Sequence, residues 1–266
     1  HTTFSDGAGP PHYALAMARG AGLHFYALTD HGWWITPLEW ASTLTQTIEA
    51  TVPGQFIALR GLEWTHRTAG HINIFDSHTL LSRNDPLFDE LPELYAWLAA
   101  NPTAIAQFNH PGANYDGQFD NFAFNAGAAP SVFLQEIGNN AQGYVPYEAA
   151  FVQSNAVGWR VAPTNNSDTH QANWGLDSQT RTGIVAPALT QADLLAAIRN
   201  RRVFATTNVR VYLEFSVCSA PMGSIFKAQG IRPIYVRAVS EVPIAQIDIV
   251  CNGVDWRSMR FDSQDV

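Results

Sequence analysis

Five segments of this 266-residue chain end apolar, strand-like runs on side chains that bind metal ions. They are His1-Thr2-Thr3-Phe4-Ser5-Asp6-Gly7, Ala27-Leu28-Thr29-Asp30-His31, Gly61-Leu62-Glu63 with Gly70-His71 close behind, Phe108-Asn109-His110-Pro111, and Asn166-Ser167-Asp168-Thr169-His170. In a parallel α/β barrel the carboxyl ends of the strands converge on one face, where active sites are found. A chain patterned in this way is therefore expected to gather imidazoles and carboxylates from distant strand ends.

The intervening sequence supports that architecture. Pro10-Pro11 opens a helix to about Gly20, and residues 23–28 read as a buried strand. Thr36-Pro37-Leu38-Glu39 carries a capping residue, a proline suited to the first turn and a glutamate that completes a capping box. Trp40, Leu44 and Ile48 mark the expected apolar stripe of that helix. Strands are expected at 55–62, 72–75, 104–109, 132–137 and 160–163, and helices at 91–100, 143–156 and 191–202. This alternation predicts mostly parallel strands with helical crossovers. From about Thr207 the pattern turns to alternating apolar and polar residues at 209–215, 234–238 and 247–250. Asn252-Gly253 signals a hairpin into residues 254–256. The expected organisation is an α/β barrel over residues 1–206 and an antiparallel β extension over 207–266. Both ends read as cut from a longer sequence.

Composition narrows the partners. A formal charge of −8 argues against a nucleic-acid binder, which needs clustered Lys and Arg. No apolar run is long enough to span a membrane. Cys218 and Cys251 match no zinc or redox spacing, and burial of two free thiols is the first expectation. A disulfide is the alternative and needs an oxidising compartment. That option, with Lys227 as the single lysine, favours a periplasmic or secreted location over a cytoplasmic one. Oligomeric state is not set by the sequence.

Taken singly, each candidate ligand has a plainer role. Ser-Asp-Gly and Asn-Ser-Asp are common turn sequences, and Glu63 could pair with an arginine. Together, His1, Asp6, His31, Glu63, His71, His110, Asp168 and His170 supply eight ligands, enough for two or three ions.

At these motifs the chain resembles the PHP (polymerase and histidinol phosphatase) superfamily of metallohydrolases. The first segment is similar to the end of its opening His-x-His motif with the Ser-Asp-Gly that follows, and Leu28-Thr29-Asp30-His31 is similar to its second motif. Asn109-His110-Pro111 and Ser167-Asp168-Thr169-His170 resemble the third and fourth. The resemblance implies a distorted (β/α)7 TIM-like barrel of the PHP type. It also implies three metal positions: His1, Glu63 and Asp168 with a histidine two residues before His1; Glu63, His71 and His110; and Asp6, His31 and His170. His66 rivals His71. The tail, from Ala197-Ile198-Arg199 through Met222-Gly223 to Val250-Cys251-Asn252-Gly253, resembles the carbaryl-hydrolase-like branch of that superfamily.

The expected activity is metal-dependent hydrolysis of a small-molecule ester by a hydroxide bridging two ions of zinc, manganese or iron. The family implies a phosphoesterase, and the branch a carboxyl or carbamate ester hydrolase. A non-catalytic, metal-stabilised module is the third possibility. Glu63, His66 and Arg67 are the expected catalytic residues, with Arg181 a further candidate for orienting an anion. Trp33-Trp34, Trp64 and Trp174, each beside a ligand segment, line a pocket for a flat apolar group or pack in the core.

Overall fold

Runs of β-branched and aromatic residues, broken by Gly and Pro, set the sheet. The computed structural model describes residues 1–112, 117–141 and 143–266. In chain order the elements are α1 (Pro11–Gly20), β1 (Phe25–Leu28), α2 (Pro37–Ala50), β2 (Ile57–His66), β3 (Gly70–Phe75), α3 (Leu91–Ala100) and β4 (Ile105–Asn109). A short left-handed turn labelled α4 (Gln118–Asn121) precedes β5 (Val132–Asn139), β6 (Val145–Pro146), α5 (Glu148–Val157), β7 (Ala162–Asn166), β8 (Arg181–Ile184), α6 (Gln191–Arg199) and β9 (Val203–Thr206). The chain ends in β10 (Val211–Val217), β11 (Ala220–Pro221), β12 (Ile234–Cys251) and β13 (Val254–Asp265).

Strands β1 to β7 form one curled sheet in the order β1-β2-β3-β4-β5, with β6 and β7 both on β5. The pairs β1–β2, β4–β5 and β5–β7 are parallel, as the βα alternation requires. The joints β2–β3 and β3–β4 are antiparallel, which corrects the expectation of crossovers throughout that stretch. At the β2–β3 joint the reason is length. His66 and Gly70 pair across the β2–β3 turn, whereas a parallel return needs a dozen residues or more. The architecture is therefore a half-barrel of mixed strands. The β8–β9 hairpin is a separate two-stranded sheet.

Helix α2 begins as expected: the Thr36 side chain accepts from the Glu39 backbone N–H and the Glu39 carboxylate accepts from the Thr36 N–H. Its buried face differs from the expected one. Trp40, Thr43 and Thr47 face the sheet, while Leu44 and Ile48 are exposed. The Thr43 and Thr47 hydroxyls donate to the Glu39 and Leu44 carbonyls, so these threonines bury with their polar atoms satisfied.

The outward faces of β2, β3 and β4 pack on α3 through Leu62, Trp64, Ile72, Ile74 and Phe108 against Leu94 and Leu98. Their inward faces are graded. At the bottom lie Ile57, Leu59, Phe75 and Ile105; above them come Asn73 and Gln107; candidate ligands crown the top. Inside the curl, from the ligands toward a seam between β1 and β8, runs a cavity of about 830 Å³.

Residues 211–265 make their own four-stranded sheet, β11-β10-β12-β13. The runs at 234–238 and 247–250 belong to one strand, with register shifts between Val239 and Gln246, where Pro243 can give no N–H to a ladder. Asn252 and Gly253 both have positive φ (54° and 76°), as a two-residue hairpin turn of type I′ demands. Cys218 and Cys251 are exposed, which corrects the expectation of burial. They also stand at opposite ends of β12, since Cys218 follows the partner of Ile234 and Cys251 ends the strand. Eighteen extended residues separate those ends by on the order of 50 Å, far beyond disulfide reach.

Candidate metal centre

The two-residue period of β2 decides which side chains reach the interior. Glu63 and Thr65 point inward; Trp64 and His66 point outward. Trp64 is fully buried in the outer core and its indole N–H donates to the Phe88 carbonyl. His66 stacks on Trp64 (5.5 Å between centroids), and its Nδ1 accepts from the backbone N–H groups of Thr68 and Ala69. Its Nε2 faces Glu90 at 3.4 Å. His71, on β3 opposite Thr65, points inward instead, with Nδ1 3.2 Å from Glu63 Oε1. Arg67 is an exposed residue of the β2–β3 turn. Arg181 spends its guanidinium on the carbonyls of Ser178, Thr180 and Gly175.

Two groups of ligand atoms form, each with all its atoms within 4.8 Å of one another. The inner group is Glu63 on β2, His71 on β3 and His110 just past the end of β4; Glu63 is 2% exposed and His110 Nε2 lies 3.5 Å from its Oε1. The outer group is His1, Asp6, His31 and His170, all on loops that follow strands or precede α1. Asp6 lies 3.6 Å from His1, 3.5 Å from His31 and 3.4 Å from His170. His31 joins the groups: its Nε2 faces Asp6 and its Nδ1 lies 2.7 Å from Glu63 Oε2. Asp168 falls outside both groups but contacts His1 Nε2 at 2.9 Å. The eight residues read from the sequence therefore converge. Their partition differs from the one the resemblance implies, because His1 sits with Asp6, His31 and His170.

Several supporting residues were not singled out in the sequence. Asp30, buried, accepts from the Thr2 N–H (2.5 Å), the Thr2 hydroxyl (2.9 Å) and the Ser5 hydroxyl (2.6 Å), pinning the loop that presents His1 and Asp6. Gly7 is required there: a Cβ would collide with the His1 carbonyl. From below, Thr164 donates to Gln107 (3.1 Å), Gln107 to Asn109 (2.9 Å) and Asn109 to Glu63 Oε1 (2.8 Å). The Thr65 hydroxyl reaches Glu63 Oε2 at 3.0 Å. Buried Glu136, on the strand between β4 and β7, accepts from the His110 backbone N–H (2.5 Å) and from Asn166 (2.7 Å). Asn139 donates to Glu136 and to Asp168. His110 and Asp168 both have positive φ (27° and 52°), so these contacts hold two ligand candidates in a backbone region that side chains rarely adopt. The polar alternation Gln107, Asn109 along an apolar strand is the sequence signal that marks this support.

Charge is concentrated here. Burial disfavours a charged His1, yet Asp168, Glu63 and Asp30 override it and raise the imidazole to about 9. Burial acts likewise on His110, and Glu63 with Glu136 raises it to about 9. Burial would raise Glu63, but His71, His110 and His31 hold it well below the usual carboxylate range. Asp168 is lowered by His1 against the same burial cost. Glu136, lacking such a cation at contact, is carried by burial and by Asp168 up to about 7.

These residues fit divalent ions. The donors mix imidazole with carboxylate, a set suited to zinc, manganese or iron. His110 Nδ1 is buried with no hydrogen-bond partner inside a cluster of other donors. His170 bonds the Asp168 carbonyl through Nδ1 (2.9 Å), which leaves Nε2 facing Asp6, the arrangement that orients a ligating histidine.

Comparison with family models and with curated proteins gives no match. Among solved structures, the chain is similar to a two-domain protein from Bacteroides vulgatus ATCC 8482 that contains a predicted PHP-like metal-dependent phosphoesterase. The TM-score is 0.59 at 15% identity, over 99% of this chain and 81% of that one. The chain shares the fold of that protein. PsfC from Pseudomonas syringae PB-5123 is similar at a TM-score of 0.51 and 16% identity, over 77% of this chain and 87% of that one. Among the described residues no helix is long and apolar enough to cross a membrane.

Proposed function

We propose that the chain is a metal-dependent phosphoesterase acting on a small phosphomonoester, with His1, Asp6, His31, Glu63, His71, His110, Asp168 and His170 holding two or three divalent ions. The observation that carries this reading is the pair of ligand groups joined through His31 and Glu63. Ions bound there would acidify a water and draw charge from a phosphoryl oxygen. The chain's own part is positional. Glu63, fixed by Asn109 and Thr65, stands between the groups, and Asp30 holds the first loop against them. The cavity beside His1, Glu63 and Asp168 admits a small substrate. His66, turned to the outer face, has no part in this reading, and Arg67 lies on an exposed turn.

The test is hydrolysis of 4-nitrophenyl phosphate by protein loaded with zinc, manganese or iron(II), alongside elemental analysis. Turnover that needs the metal supports the proposal. Turnover of naphthyl acetate or a naphthyl carbamate with none of the phosphate would replace it with the carboxyl or carbamate ester reading that the tail motifs favour. Inactivity on all three, with less than one ion per chain, would leave a non-catalytic module.

A further inference from the structure

The four tryptophans beside the ligand segments do not share one role. Trp64 and Trp174 are fully buried, and the Trp174 indole N–H donates to the His1 carbonyl. Trp33 and Trp34 instead stack on each other, with centroids 4.3 Å apart and planes 22° from parallel. The Arg83 guanidinium lies 4.2 Å over the Trp33 ring and donates to the carbonyl of Thr65, two residues past Glu63 on β2. Asn84 ties the Trp33 carbonyl to the same loop. The result is a layered stack, Arg83 then Trp33 then Trp34, built on the rim of the candidate metal centre. Its last layer is Trp34, 45% exposed, with its ring centroid 6.0 Å from that of His31.

Trp34 leaves nearly half of its surface to solvent. The face is rigid, because Trp33 and Arg83 back it, and it adjoins His31 of the outer ligand group. A planar ring carried by the substrate could continue the stack while its ester group lies at the ligands.

We infer that the substrate's leaving group, or the group next to it, is a planar aromatic ring, and that Trp34 selects it by stacking. This rests on the phosphoesterase reading and narrows it to aryl or heteroaryl monoesters. Trp34 is a specificity-determining residue in this account and ligates nothing.

Binding separates this from catalysis. Phenylphosphonate and methylphosphonate, neither of which has an ester bond to cleave, are titrated calorimetrically into metal-loaded protein. Phenylphosphonate is expected to bind about tenfold more tightly, the scale of one stacked ring. In Trp34→Leu that preference is expected to vanish with methylphosphonate affinity unchanged, and in Trp34→Phe to persist in large part. Because Trp34 is exposed, both variants are expected to melt within a few degrees of the parent. Equal affinity for the two phosphonates in the parent, or a preference that survives in Trp34→Leu, would overturn the stacking role while leaving the phosphoesterase reading intact. Failure of both phosphonates to bind, together with no turnover of 4-nitrophenyl phosphate, would remove that reading and this inference with it.

Discussion

The two ligand groups are built on different kinds of backbone. Glu63, His71 and His110 lie on or just beyond three adjacent hydrogen-bonded strands, with side chains 2–17% exposed. His1, Asp6, His31 and His170 hang from loops, and the Asp6 and His170 side chains are each 34% exposed. The strand-borne group is held by main-chain ladders and a file of buried amides. The loop-borne group depends on Asp30, whose three hydrogen bonds fold the first loop over the sheet. Strands hold a site more precisely than loops do. An ion in the inner group should therefore exchange slowly, and one in the outer group quickly.

Glu63→Ala is expected to have the largest effect, because it removes the residue joining both groups. Turnover of 4-nitrophenyl phosphate should fall by roughly 10³-fold, on the scale of losing a main electrostatic element of a site. Elemental analysis should show loss of metal from the inner group; activity within tenfold of the parent would break the proposed bridge. His170→Ala sharpens the contrast: the expected fall is on the order of 10²-fold, with one ion per chain retained after dialysis. Loss of every ion from that variant would mean that the groups bind as one unit.

Supporting residues should matter less. Asn109→Ala leaves Glu63 Oε1 without its donor, and metal affinity by competition with a chelator should drop about 10–100-fold. Asp30→Asn should weaken the outer ion by a similar factor and spare the inner one.

The smallest effect concerns pH. In metal-free protein His1 and His110 have pKa values raised to about 9, so the stability they contribute is complete below the ordinary value of 6.5 and is lost as pH rises toward 9. Glu63 and Asp168 are lowered, so their contribution is present above about 4.5 and lost as pH falls below it. The melting temperature without metal should peak between these limits and decline from pH 6.5 to 9. Metal-loaded protein should show the reverse slope on the alkaline side, because ligation needs unprotonated imidazole. A metal-free melting temperature that climbs through that range would contradict the coupling of these histidines to their carboxylates.

Much of this was legible in the chain. Ligand-bearing residues announced themselves because strands must end where they can be satisfied. Capping at Thr36 and the Asn252-Gly253 turn were readable because both are local chemistry. The orientation of α2 was not, since the stripe of Trp40, Leu44 and Ile48 and that of Trp40, Thr43 and Thr47 flank Trp40 on opposite sides, and tertiary packing chose the latter. The direction of β3 was hidden in a turn length. Glu136 escaped notice because a lone carboxylate in an apolar strand shows its purpose only when β4 and β7 flank it.

The amide file beneath Glu63 has a polarity. The Thr164 hydroxyl donates to Gln107, which must then offer its NH2 to Asn109, which must offer its own to the carboxylate. Turning either amide alone would set donor against donor or oxygen against oxygen. A proton on Oε1 would meet an N–H already pointing at it. In this orientation the file presents an N–H to Oε1 and so favours an ionised Glu63, and a group so partnered is a poor place to park a proton.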